Sequence, residues 1–196
     1  MSTAVRAILI GGTSHVGKTR FSQRLAESLG WQTLSTDQLA RFPGRPWGRK
    51  IPQDVQDYYN RVVGPDLLTD VIDHFQQNVW PIAEAIVRSR ISNSFDRQVV
   101  LEGSAILPEC VQTAGFEKAR AIWFVAPREM IQERIYASSS YDSQAPDSQL
   151  LIDKFLDRTL KHNDQLVGEL RSKNLFHVDV SDQAALTECF ESLQRG

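Results

Sequence analysis

The chain has 196 residues, 41% of them apolar and 23% charged, a mix that supports one packed domain and excludes global disorder. Its 22 Lys and Arg stand against 24 Asp and Glu, and a formal charge of −2 supplies no overall pull towards nucleic acid or an anionic membrane. Two cysteines, Cys110 and Cys189, are too few for a disulfide framework or a zinc site and read as reduced, partly buried thiols.

Ala4 to Ile10 is short, apolar and closed by Gly11–Gly12, which predicts a buried strand. That apolar stretch is too short for a signal peptide, and no run approaches 18 apolar residues, so a cytoplasmic protein without a membrane span is expected. Lys18 to Leu29 sets Phe21, Leu25 and Leu29 at helical spacing and stops at Gly30. Gln32–Ser35 reads as a second strand. Residues 38–53 form a loop rich in Pro, Gly and Arg, the core of an acceptor-side segment taken as 38–65. From Asp66 the pattern is helical to about Ile91, with a kink expected near Pro81.

Gln98–Leu101 is a third strand and Ala121–Val125 a fourth, followed by a helix from near Pro127. Ser138 to Asp147 is polar and aperiodic, a mobile loop within a lid segment taken as 138–148. Gln149 to Arg171 carries a long helical period, Leu175–Val180 a last strand and Ser181–Leu193 a last helix. Strands alternating with helices predict a three-layer α/β domain, one unit over 1–196, with a parallel five-stranded sheet.

Between the first strand and the first helix lies Gly12-Thr13-Ser14-His15-Val16-Gly17-Lys18-Thr19, which matches G-x-x-x-x-G-K-[ST] at every fixed position. The glycines let the backbone turn its N–H groups inward at phosphate oxygens, and the helix N-terminus adds partial positive charge. Lys18 would reach the β/γ-phosphates and Thr19 would offer its hydroxyl to Mg²⁺. His15 stands where a small residue is common; its side chain either hydrogen-bonds a phosphate or faces solvent, and the second is expected because a neutral imidazole adds little beside a lysine.

Ligands of an open parallel sheet bind outside the carboxyl ends of the strands. The second strand ends at Ser35-Thr36-Asp37 and the third at Glu102-Gly103-Ser104, so two carboxylates would share the crevice with the phosphate loop. Asp37 is read as the group that orients or deprotonates an acceptor, or else as a helix N-cap. Glu102 is read as a metal or substrate ligand, or else as a strand-end carboxylate bonded to the helix of the phosphate loop. Arg41, Arg45, Arg49 and Lys50 fall between Asp37 and Asp54 with no acidic residue among them. They form either an anion-recognising element, with Trp47 as a possible ligand contact, or a solvated basic loop. Arg128 and Arg134 precede the lid, while Lys154, Arg158 and Lys161 follow it. Arg134 and Arg158 are the best placed to close over reacting phosphates.

In Ile10-Gly11-Gly12-Thr13-Ser14 with Val16-Gly17-Lys18-Thr19, in Ser35-Thr36-Asp37, and in Leu101-Glu102-Gly103 followed by Pro108, the chain resembles the small P-loop kinases of the nucleoside-monophosphate-kinase type. That group includes adenylate, shikimate and gluconate kinases; the nearest likeness is to 2-phosphoglycerate kinase. The resemblance implies a P-loop NTPase fold with a lid, ATP and Mg²⁺ as cofactors, and an acidic residue near the acceptor after the second strand. It implies a kinase acting on a small anionic metabolite. The site would comprise Lys18, Asp37, Arg134 and Arg158 as catalytic groups, residues 12–19 on ATP, and Thr19 and Glu102 on the metal. Asp37, Arg41, Arg45, Arg49 and Glu102 would bind the acceptor. No nucleic-acid or membrane partner is expected, and the chain would be a monomer or homodimer. A nucleoside or nucleotide kinase, and a nucleotide-dependent ATPase or switch acting on a macromolecule, remain the alternatives.

Overall fold

The computed structural model describes residues 4–40, 44–48, 51–62 and 66–195. Among them, five parallel strands form one sheet in the order β2-β3-β1-β4-β5: β1 Ala7–Gly12, β2 Gln32–Ser35, β3 Val99–Glu102, β4 Ala119–Val125 and β5 His177–Asp179. Helix α1 (Lys18–Leu29) joins β1 to β2. Helices α2 (Gln53–Arg61), α3 (Asp66–His74) and α4 (Trp80–Ser92) lie between β2 and β3. Helix α5 (Pro108–Ala114) precedes β4, α6 (Arg128–Ser139) and α7 (Pro146–Ser172) precede β5, and α8 (Gln183–Gln194) ends the chain.

The central strand is buried on both faces, as a parallel sheet requires, so its residues are continuously apolar. Ile8 and Ile10 point into one cluster with Leu25 and Ala26 of α1 and Leu193 of α8. Ala7 and Leu9 point the other way, against Trp80, Ala83 and Val87 of α4. Strand β4 alternates likewise: Ile122 and Phe124 share the α1 side, while Trp123 and Val125 meet Leu166 and Leu170 of α7. The three-layer expectation holds, and helices cover both sides of the sheet.

Register brings the functional strand ends together. Ser35 pairs with Glu102, Glu102 with Ile10, and Gly12 with Phe124, so β1, β2 and β3 stop at one edge.

Three segments differ from the sequence expectation. Within the expected acceptor-side loop, Gln53–Arg61 is helical, burying Val55, Tyr58 and Tyr59 at i, i+3 and i+4. The expected kink near Pro81 falls one turn earlier, as a π-turn over Phe75–Val79 closed by the Trp80 N–H on the Phe75 carbonyl. A wider turn just ahead of Pro81 accommodates the hydrogen bond that a ring nitrogen cannot donate.

Residues 138–148, expected as an aperiodic loop, are mostly helix and turn. Helix α6 runs to Ser139, a 3₁₀ turn spans Tyr141–Ser143, and α7 starts at Pro146. Tyr136 and Tyr141 stack at 4.1 Å and donate to the two oxygens of Asp153, at 3.0 and 2.8 Å. Gln144 and Gln149 cap the connection by donating to the Ser139 and Tyr141 carbonyls. Among the described residues, no helix is long and apolar enough to cross a membrane.

Candidate active site

The phosphate loop leaves the buried end of β1 and runs into α1. Gly12 has φ +134, and a Cβ there would overlap the Phe124 carbonyl of β4, so only glycine lets the loop turn this close to the sheet. Gly17, at φ +100, caps α1 and hands the chain to Lys18. Lys18 is only 7% exposed. Its Nζ donates to the Thr13 carbonyl at 2.7 Å and lies 3.5 Å from Ser104 Oγ. Burial pushes its ammonium below the ordinary lysine range; Glu102 and Asp37 act in the opposite sense, and Arg45 adds to the lowering. Both strand-end carboxylates therefore share the field of the loop cation.

Glu102, 3% exposed, accepts from Thr19 Oγ1 at 3.2 Å. A hydroxyl beside a buried carboxylate fits Mg²⁺, which takes one or two protein oxygens and completes its octahedron with water and substrate phosphates. Gly103 follows at φ +151, where a Cβ would overlap the Thr36 side chain; glycine here seats the end of β2 against β3. The Glu-Gly pair thus has a local steric reason.

Asp37 sits in the short 3₁₀ turn Thr36–Gln38, and the cap of that turn comes from Ser35, whose Oγ accepts the Asp37 N–H at 3.4 Å. Asp37 is therefore not the N-cap. Its exposed carboxylate lines a cavity of about 470 Å³ together with Ser14, Arg45, Ser104 and Arg158. Val71, Phe75, Val79 and Phe155 form the apolar wall of that cavity, two of them supplied by the π-turn. No sequence signal marked this wall, because its residues read as ordinary helix interior.

Arg158, on α7, is 9% exposed and stacks over Phe155 at 4.7 Å and Tyr59 at 5.7 Å. Its Nη1 is buried without a hydrogen-bond partner. Arg134, on α6, donates to the His15 carbonyl at 2.9 Å and lines a second cavity of about 340 Å³ with Val16, Gly17, Arg20, Arg24 and Phe124. The phosphate loop contributes to both cavities, Ser14 to the larger and Val16 and Gly17 to the other.

The remaining basic residues are sorted by their neighbours. Arg128 pairs with Asp164 at the surface, Lys161 with Asp157 at 2.7 Å, and Lys154 donates to the Tyr59 carbonyl at 2.6 Å. Among the basic-loop residues only Arg45 is described; Arg41, Arg49 and Lys50 lie outside the described residues. Trp47, held as a ligand contact from sequence, packs its ring on Phe155 at 4.9 Å and on His15 at 5.7 Å. His15 departs from expectation too. Its ring is half-buried, with Nε2 3.1 Å from Ser138 Oγ.

Two histidines, His15 half-buried and His162 buried, should make the fold acid-sensitive. His15 is pushed down to about 4 by burial and then by Arg45, Lys18 and Arg134. His162, on α7, is pushed down to about 3 by burial and then by Lys18 and Arg158. Both stay neutral in the folded chain while the unfolded chain takes up protons near pH 6.5. Their contribution to stability is thus intact above pH 6.5 and is lost as pH falls towards 4 for His15 and 3 for His162. The expected slope for His162 is at most about 1.4 kcal/mol per pH unit. Denaturant melts at pH 7, 6, 5 and 4 should show this fall, and His162→Gln should flatten part of it; a parallel fall in the variant would exclude His162 as a source.

No protein-family model matches the chain, and no curated protein matches it in sequence. Solved structures do match. A gluconokinase from Sinorhizobium meliloti 1021 superposes with a TM-score of 0.51 at 18% identity, over 95% of this chain and 94% of that one. The deoxyadenosine kinase from M. mycoides with bound dATP superposes with a TM-score of 0.52 at 14% identity, over 97% and 100%. At these identities the likeness is one of fold: the chain has the α/β P-loop fold, a parallel five-stranded sheet wrapped by helices.

Proposed function

We propose that this chain is a phosphotransferase that moves the γ-phosphoryl group of ATP to a hydroxyl or phosphate oxygen of a small anionic metabolite, a 2-phosphoglycerate-like compound being the leading acceptor class. One observation carries the reading. A G-x-x-x-x-G-K-T loop with a buried lysine lends Ser14 to one cavity, which also holds a carboxylate and a buried guanidinium, and Val16 and Gly17 to another, lined by arginines and aromatic edges. The names of the two kinases with the same fold, a gluconokinase and a deoxyadenosine kinase, support small acceptors.

The cavity of Gly17, Arg20, Arg24 and Arg134 receives the nucleotide, whose phosphates lie on the loop amides and against Lys18. Thr19 and Glu102 would hold Mg²⁺, which would neutralise charge building on the phosphates. In the larger cavity Asp37 orients or deprotonates the acceptor hydroxyl, and the open Nη1 of Arg158 with Arg45 takes the acceptor anion. Little covalent chemistry falls to the protein; placement and charge neutralisation are its work.

The test is a panel of phosphorylated and carboxylated hydroxy compounds, scored by melting shift with an ATP analogue and Mg²⁺ and by ADP release. Nucleosides belong in the panel because Phe75 and Phe155 give the larger cavity aromatic walls. Turnover of an anionic acceptor supports the reading, and turnover of nucleosides alone moves it to a nucleoside kinase. ADP release that no acceptor accelerates would instead fit an ATPase. For a confirmed acceptor, Arg158→Ala should raise KM about ten- to a hundredfold, the loss of a charge-assisted contact of about 1.5–3 kcal/mol, with the KM for ATP hardly changed. Arg158→Lys should restore only part, because a point charge cannot reproduce the planar fork.

A further inference from the structure

His15 occupies the bend of the phosphate loop at φ +65, a left-handed backbone that glycine adopts freely and other residues do not. Its ring packs edge-on to Phe155 at 6.0 Å and lies 5.7 Å from Trp47. Ser138 spends its one hydroxyl proton on the Ile135 carbonyl at 3.0 Å, so the His15 Nε2 contact at 3.1 Å is donated by the histidine. Nδ1 is then a bare acceptor, and it is buried with no partner. The main-chain carbonyl of the same residue accepts from Arg134. Four separate pieces of the fold meet on this one residue: the phosphate loop, the 44–48 segment, the end of α6, and α7.

Glycine would make the same bend without strain and without an orphaned nitrogen, so what the imidazole adds is these contacts. The 44–48 segment is the stretch that presents Gly44 and Arg45 to the larger cavity, and Trp47 is its hold on the loop. We propose that His15 is a positioning residue that clamps this acceptor-side segment to the phosphate loop, so that Arg45 and the bound phosphates keep one register. The proposal deepens the kinase reading above and rests on it. Loss of the clamp displaces Arg45 and leaves the loop amides and Lys18 in place. The penalty therefore falls on the acceptor and on transfer, not on ATP.

The clamp is tested first without any acceptor, by hydrogen-exchange mass spectrometry of the full chain with AMP-PNP and Mg²⁺. His15→Gly and Trp47→Leu should each speed exchange at Arg45, Trp47 and Gly48 at least tenfold while α1 keeps its protection. His15→Asn, which tolerates the left-handed bend but lacks the ring, should behave like His15→Gly, and a melting temperature near wild type in either excludes misfolding. With a confirmed acceptor, each variant should lose at least tenfold in kcat/KM for it while the KM for ATP stays within twofold. The His15→Gly/Trp47→Leu double variant should lose less than the product of the two single losses, because both remove one shared contact while the Trp47–Phe155 and His15–Ser138 contacts are lost separately. Wild-type exchange over 44–48 in His15→Gly would overturn the proposal, as would a loss confined to ATP. If the wild-type chain transfers phosphoryl to no acceptor, the kinase reading fails, and the exchange comparison still decides the clamp by itself.

Discussion

Lys18→Ala is expected to cut turnover of any confirmed acceptor by about a thousandfold or more, because on the proposed reading it removes the loop cation that would neutralise the transferred phosphoryl group. The fold should survive the change. Burial already disfavours the Lys18 ammonium, and Glu102 keeps the Thr19 hydroxyl as a partner after the lysine is gone. The melting temperature of the ligand-free chain should therefore move little, while the stabilisation given by MgATP collapses, since a ligand stabilises only as tightly as it binds the folded state. Calorimetric melts with and without MgATP, run beside an ADP-release assay, check both halves. Full activity in the variant would sink the kinase reading; a collapsed fold would show that Lys18 is structural.

Asp37→Asn is expected to lower kcat by about 10² to 10⁴ and to leave ATP affinity nearly unchanged, the range for a positioned acid–base or orienting group. The substitution is clean here for a structural reason. Ser35 supplies the cap of the 3₁₀ turn, and the Asp37 N–H that it receives is main chain, so asparagine keeps that hydrogen bond. The asparagine also keeps the shape that lines the larger cavity. Single-turnover rates at saturating ATP and acceptor would separate a loss in chemistry from a loss in binding. A variant within threefold of wild type would remove Asp37 from the mechanism.

The phosphate loop and the strand-end carboxylates were legible in the sequence because their geometry depends on near neighbours. Gly12 and Gly17 set the bend within six residues of each other, and Thr19 follows Lys18 on the first turn of α1. Asp37 and Glu102 lie 65 positions apart, yet parallel strands in register end at one edge, and the Ser35–Glu102 pair sets Asp37, two residues past Ser35, at the same edge as Glu102. The five strands and α1 were equally plain, since a doubly buried strand and an amphipathic helix carry their periodicity in a short window.

Helix α2, the π-turn and the roles of the basic side chains were decided only by tertiary structure. The run Gln53–Arg61 has a single turn of apolar spacing, too little to specify a helix until Tyr59 is buried and its hydroxyl reaches the Gly44 carbonyl at 3.1 Å. Pro81 announced a break in the helix, but only the folded chain shows that the break is a π-turn that places Phe75 and Val79 at the wall of the larger cavity. Arg128, Lys154, Arg158 and Lys161 are alike as letters: three find partners in Asp164, the Tyr59 carbonyl and Asp157, while Arg158 is folded over the Phe155 and Tyr59 rings at the wall of the larger cavity. His15 followed the same rule, turning from a solvent-facing loop residue into the meeting point of Trp47, Phe155 and Ser138. Backbone geometry is encoded by adjacent residues, whereas a long side chain takes its role from whichever group, distant in sequence, is folded beside it.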